Sequence, residues 1–227
     1  MPSVNTMVET EFNRIAPAAY SIHSSRVMFP RHSVDRYRIF LNDLPREIEK
    51  LAHASVEAIA LACTMAGLYE GYDSDRRLAE TIRKHSGVPA TTTITSVIEA
   101  LRQLGMRSVT VVTPYDDAEN GLEKQFLEAS GFKVPHISSI DRKGLNIPEV
   151  PSKLVYKAAL QVGRSESDGM FISCTGLTTV DILAQLEQRL KKPVVSSNQA
   201  TFWNLVRLAG GRLKLDPARF GSLMANS

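Results

Sequence analysis

One stretch of this chain is written twice. Pro89 to Gly105, PATTTITSVIEALRQLG, lies without gaps over Pro193 to Ala209, PVVSSNQATFWNLVRLA, at an offset of 104. Pro89 meets Pro193, Thr92 and Thr93 meet Ser196 and Ser197, and Leu101 and Leu104 meet Leu205 and Leu208. Upstream of each copy an apolar run ends in Cys-Thr, AIALACTMAG around Cys63 and GMFISCTGLTT around Cys174. These are the only two cysteines, and their offset of 111 makes the insert after Cys63 seven residues longer than its counterpart. A repeat that pairs hydroxyl-rich turns, leucines and both cysteines asks the chain to build a similar strand-turn-helix unit twice.

The rest of the pattern is of the same kind. Short β-branched runs alternate with amphipathic segments of about 10 to 15 residues, which points to βα units around a parallel sheet. Strands are expected over Ser21 to Phe29, Glu57 to Ala62, Pro89 to Thr92, Ser108 to Thr113, Phe132 to Ile137, Met170 to Ser173 and Pro193 to Ser196. Between them, Leu78, Ile82 and His85 share a helical face before Gly87; Val97, Leu101 and Leu104 share one before Gly105; Leu183, Leu186 and Leu190 share one before Pro193. The nearest thing to a linker is Asp141 to Pro151, interrupted by Gly144, Pro148 and Pro151.

Composition narrows the function. With 227 residues and 43% apolar side chains the chain can fill one large or two small cores. Its 27 Lys and Arg against 24 Asp and Glu are scattered, so a nucleic-acid partner is not expected. No stretch reaches the roughly 18 apolar residues of a spanning helix, and MPSVNTMVET is no export signal, so neither a membrane partner nor cleaved export is expected. Two distant cysteines make neither a disulfide framework nor a zinc site, and a reducing cytoplasm fits. His23, His32, His53, His85 and His136 lack metal spacing, and GxSxG, GxGxxG and P-loop motifs are missing. No metal or cofactor is expected.

An apolar strand ending in Cys-Thr puts the thiol at the carboxyl end of a parallel strand, where open α/β sheets collect ligands. The backbone N–H groups of Thr64, Met65, Thr175 and Gly176 would be free donors there, suited to an anion and to a thiolate. Taken singly, each cysteine also reads as an ordinary buried small hydrophobe. The pair reads as a two-sided nucleophile and acid/base. The runs Thr91 to Thr95 and Ser196 to Gln199 suit helix caps as well as substrate donors. Asn5, before a helix over Met7 to Ile15, offers a free amide side chain. Tyr115, after the strand Ser108 to Thr113, would project at the same sheet edge or serve as a half-buried structural residue. Asp116, Asp117 and Glu119 read as a solvated helix start.

In order along the chain come PSVNT at Pro2, ACT at Ala62, GYDSDRRLAETIRKHSGVPATTT from Gly71, VTPYDD at Val112, SCTGL at Ser173 and PVVSSNQA at Pro193. This set resembles the aspartate/glutamate racemase superfamily, in the branch of maleate cis-trans isomerases and arylmalonate decarboxylases. The resemblance implies an α/β fold of two similar Rossmann-like (flavodoxin-like) lobes with parallel sheets, related by a pseudo-twofold axis. Residues 1–90 with 197–227 would form the first lobe and 91–196 the second, with a cofactor-free active site in the cleft. It further implies that Cys63 is a nucleophile adding to the alkene of maleate and Cys174 the acid/base on the neighbouring carbon, both with pKa values lowered toward neutrality. Asn5 and Tyr115 would bind substrate carboxylates, and the turns at Thr64, Met65, Thr175 and Gly176 would hold the growing charge of an enediolate. The loop after Cys63 would be a lid. A small dicarboxylate would be the substrate, and family habit implies a homodimer or higher oligomer. Arylmalonate decarboxylases are similar but carry glycine at the first cysteine position; racemisation of an amino acid or hydantoin with the same thiols, or carboxylate binding without turnover, are the other readings. The branch carries a strand before PSVNT, where this chain has Met1; either this start falls after that strand, or the strand is missing and its neighbours are expected to lack a partner.

Overall fold

Alternating short strands and amphipathic helices build two parallel sheets. The computed structural model describes residues 1–30, 35–69, 71, 73–163 and 166–225. In chain order these form α1 (Met7–Ile15), α2 (Arg36–His53), β1 (Ile59–Leu61), α3 (Ser74–Ser86), β2 (Ala90–Thr92), α4 (Thr93–Gln103), β3 (Ser108–Thr113), α5 (Asp117–Ala129), β4 (Lys133–Ser139), α6 (Ser152–Val162), β5 (Gly169–Ile172), α7 (Val180–Leu190), β6 (Val194–Ser196), α8 (Ser197–Leu208) and α9 (Pro217–Phe220). One sheet pairs β1 with β2; the other runs β4-β3-β5-β6, and every pairing is parallel. In β3 and β5, Val109, Val111, Val112, Met170, Phe171 and Ile172 are fully buried, as parallel strands covered on both faces by helices must be.

The repeat reappears in three dimensions. Thr92 and Ser196 adopt nearly the same extended conformation, φ −118° with ψ 168° and φ −116° with ψ 159°, and their hydroxyls cap α4 and α8 by accepting from Thr95 N and Gln199 N. The two helices then pack on each other. Asn204 Nδ2 of α8 donates to Thr91 Oγ1 at 3.1 Å and Ser96 Oγ at 3.2 Å, and Thr201 meets Thr93 at 3.1 Å. The small hydroxyl residues of the repeat thus satisfy one another in a buried helix interface, where an unpaired one would cost about 1–3 kcal/mol.

Six of the seven expected strands form, most with trimmed ends. Ser21 to Phe29 does not. It makes a single bridge, Val27 with Pro2, with Ser3 N donating to Val27 O at 2.8 Å and Val27 N to Met1 O at 2.9 Å. Its β-branched Ile22 and Val27 suit a strand, but a strand needs a neighbour along its length. On the side facing β1 it borders a cavity of about 430 Å³ lined by Ser21, Ser25, Ile59 and Ala60. Among the described residues β1 is paired only with β2.

Candidate active site

Strand β1 leads into Cys63 and strand β5 into Cys174. Both thiols are buried, at 8% and 9% exposure, and each is followed at once by a turn. At Cys63 the turn is a 3-10 segment, Met65–Gly67, whose Met65 and Ala66 N–H groups donate to the sulfur. At Cys174 the Gly176 N–H donates to the sulfur at 3.3 Å. The turn amides expected to be free for an anion are therefore aimed, in part, at the thiols themselves. Cys174 has φ +93°, a region that costs a residue with a Cβ about 1–3 kcal/mol. It is held there by Ser173 N to Val112 O at 2.8 Å and by its own N–H donating to Ser197 Oγ at 3.0 Å. We expect Cys174→Gly to be more stable to urea than Cys174→Ala by about 1 kcal/mol, the reverse of the usual Ala over Gly order; equal midpoints would show that the backbone there is unstrained.

Hydrogen bonds join the two cysteine turns. Thr64 Oγ1 lies 3.1 Å from Ser197 Oγ, the same hydroxyl that accepts from Cys174 N. Thr175 Oγ1 reaches Ala62 O at 3.4 Å and accepts from Asn5 Nδ2 at 3.0 Å. Asn5 is not the free amide the sequence leads one to expect. Its Oδ1 caps α1 by accepting from Met7 N at 2.9 Å and Val8 N at 3.2 Å, and its Nδ2 is already committed to Thr175. Asn198 Nδ2 supports the second turn from below through Thr175 O at 3.1 Å.

Tyr115 arrives from the far edge of the same cluster. Its turn is set by Thr113 Oγ1 accepting Tyr115 N at 3.1 Å, and by Asn120 Nδ2 donating to Ser139 Oγ, which donates on to Tyr115 O, each at 2.8 Å. This frame directs the phenol to the Cys174 thiol, to which it hydrogen-bonds. All eight residues singled out in the sequence, Asn5, Cys63, Thr64, Met65, Tyr115, Cys174, Thr175 and Gly176, are buried in this region. Others had no sequence signal. Tyr37 of α2 is buried within electrostatic reach of both thiols and stacks on Tyr69 at 4.3 Å, with Arg36 over its ring at 5.4 Å. Ser197 was visible only as one of several hydroxyls. Glu119 leaves the solvated face expected of it: it is half-buried and pairs with Arg36 at 3.4 Å.

The acidities run against the sequence reading. Burial pushes the Cys63 thiol up to about 11, against the pull of the Ala66 and Met65 amides. Burial pushes Cys174 up to about 12, although Tyr115 and the Gly176 amide favour its thiolate. Two or three donors do not replace the water a thiolate loses in a closed site. In the loop after Cys63, Glu70 and Tyr72 lie outside the described residues; Met65 to Leu68 are buried. Among the described residues no group of three or more His, Cys, Asp or Glu is placed to hold a metal ion, and no helix is long and apolar enough to cross a membrane.

Two parallel sheets, each delivering a buried cysteine from a strand end into one cluster, define a thiol-pair α/β protein, and the same architecture is found in enzymes of known structure. The crystal structure of a cysteine-to-alanine variant of maleate isomerase from Pseudomonas putida with maleate matches with a TM-score of 0.91 at 21% identity, over 100% of this chain and 96% of that one. A family model for arylmalonate decarboxylase matches residues 18–219, and the chain belongs to that family of enzymes. Arylmalonate decarboxylase from Bordetella bronchiseptica is 31% identical over 194 residues, 84% of this chain and 80% of the relative. Maleate isomerase from Nocardia farcinica is 26% identical over 220 residues, 91% of this chain and 87% of the relative. The structure of a cysteine-to-serine variant of that isomerase, with a covalently bound succinylcysteine intermediate, matches with a TM-score of 0.90 at 23% identity over 100% of this chain and 96% of that one.

Proposed function

We propose that this chain is a cofactor-independent maleate cis-trans isomerase in which Cys63 is the nucleophile and Cys174 the acid/base. The observation that carries the reading is the pair of thiols itself: a cysteine stands in both turns, and the two are buried within electrostatic reach of each other. The Cys63 thiolate adds to one alkene carbon, and the alkene electrons move onto the neighbouring carbon and its carboxylate. Cys174 delivers its proton to that carbon and becomes the thiolate. The central bond is now single and rotates; Cys174 takes the proton back, the C–S bond breaks, and fumarate leaves with both sulfurs restored. Tyr115 steadies the charge on Cys174, while Asn5, Thr64, Met65, Thr175 and Gly176 line the carboxylate positions. In this reading the lobes are 1–90 with 197–227, and 91–196, and the site is the cleft between them.

Proton NMR of the purified protein with maleate is expected to show the fumarate vinyl signal growing. A well-folded sample giving none sinks the reading. The 31% identity to an arylmalonate decarboxylase favours one second reaction, loss of a carboxyl from an arylmalonate with Cys174 as proton donor. Phenylmalonate in a parallel tube tests it.

The raised pKa values set a pH dependence. Both thiols are protonated at neutral pH, and one proton must leave the pair before the first turnover, after which the cycle conserves it. Far below 11 the primed fraction grows tenfold per pH unit, so kcat/KM for maleate is expected to climb about tenfold per unit from about pH 6 to about pH 8. A plateau across that range would mean a thiolate already formed at neutral pH.

A further inference from the structure

Glu123 is a buried acid that this chemistry does not use. It projects from α5 with no exposed surface, and Ser173 Oγ donates to its Oε1 at 2.6 Å. Its Oε2 has no hydrogen-bond partner among the described residues. Ser173 is the residue directly before Cys174, and a charge on Glu123 acts on both Cys174 and Tyr115, opposing the thiolate. A carboxylate in a dry site needs several donors or a cation to stay charged. Here one hydroxyl serves it. Burial, resisted by Ser173 and reinforced by Glu119, pushes Glu123 up to about 8.

The groups around it supply no compensation. Tyr115 from the β3–α5 turn and Cys174 from the end of β5 are both held neutral by burial. Glu119, one turn earlier on α5, is turned to Arg36 of α2. Lys133 and His136, on β4 alongside α5, are exposed.

Resting on the reading of Cys174 as the acid/base, we propose that Glu123 is its positioning residue: a neutral acid set behind Ser173, so that the negative charge left on Cys174 after it gives up its proton meets no second charge in the same dry pocket. The carboxyl group neither donates to nor accepts from substrate. Its work is to be uncharged, and once it ionises the step that makes the Cys174 thiolate is opposed.

Two measurements test this, one with turnover and one without. In the wild type the rise of kcat/KM with pH is expected to bend from tenfold per unit to flat near pH 8, as the neutral fraction of Glu123 falls while the primed fraction of Cys63 grows. Glu123→Gln keeps the acceptor for Ser173 but cannot ionise, and should climb straight through that pH. Ser173→Ala removes the donor that favours the carboxylate, and should move the bend to higher pH. A structural role alone would scale all three profiles without moving the bend. Infrared spectra read the same chemistry without substrate: a protonated-carboxyl C=O band absent from Glu123→Gln should fade near pH 8, and in a Cys63→Ala background the Cys174 S–H band should disappear at lower pH when Glu123 is Gln. If maleate is not turned over, the infrared result still decides. A bend that stays in place in Glu123→Gln, no carboxyl band at pH 6, or an S–H titration that Glu123→Gln leaves unmoved would each overturn the proposal.

Discussion

Cys63→Ala is expected to turn maleate into fumarate about 10⁴-fold or more slowly than the wild type, because the covalent step loses its nucleophile while Cys174 remains committed to proton transfer. Cys174→Ala should lose about 10² to 10⁴-fold, the range of a missing general acid/base. The double variant should be no worse than Cys63→Ala alone, since the two thiols act as one unit and their losses do not add. Fumarate appearance by NMR checks all three, with circular dichroism to confirm folding. A Cys63→Ala variant within tenfold of wild type would remove the covalent step from the mechanism. Cys63→Gly separates the two chemistries further. It leaves Cys174, Tyr115 and the Gly176 amide in place, so any decarboxylation of phenylmalonate that the site supports should survive in it while isomerisation does not.

The second large effect is on stability and lies away from the thiols. Glu11 of α1 is fully buried, and its carboxylate accepts from Thr179 N at 3.0 and 3.1 Å, Val180 N at 3.1 and 3.3 Å, and Thr179 Oγ1 at 2.6 Å. Those amides are the first of α7, which no residue of its own segment caps. Glu11 therefore serves as a cap supplied from another helix, and Asn198, which also holds the Cys174 turn, reaches the same oxygen at 3.5 Å. Burial pushes the Glu11 carboxyl up, while the Thr179 and Val180 donors pull it down. Glu11→Leu fits the space but strands these donors in a dry interface, at a cost of about 3–5 kcal/mol. For a chain of this length that is a fall in Tm of about 6 °C or more by calorimetry. Glu11→Gln keeps one acceptor and should lose roughly half as much. A Glu11→Leu variant melting within a degree or two of wild type would show that water or a shifted α7 takes over the donors.

Both predictions show where the sequence is legible and where it is not. Cys63 and Cys174 stood out because each closes an apolar run ahead of a repeated turn, and local patterning of that kind survives folding unchanged. Thr92 and Ser196 were readable as caps for the same reason. Glu11 and Glu123 carried no mark: a carboxylate on a polar-looking helix face is indistinguishable in sequence from a solvated one until a partner element covers it. Tyr37 is the same case for an aromatic residue. Glu119 was misread in the same direction, because a helix start rich in acids ordinarily faces water, and only the approach of Arg36 half buries it. The strand expected over Ser21 to Phe29 failed because β-branched residue type says nothing about whether a neighbour lies alongside.

By itself, then, the sequence determined the alternation of strands and helices, the doubled unit, the family and the placing of both thiols at strand ends, since these rest on residue type at short spacing. The tertiary structure decided how acidic those thiols are, which carboxyl groups are buried behind them, and how Asn5 and Ser197 bind the two turns together. Those properties depend on dehydration and on donors arriving from distant segments, which no local pattern of residues records.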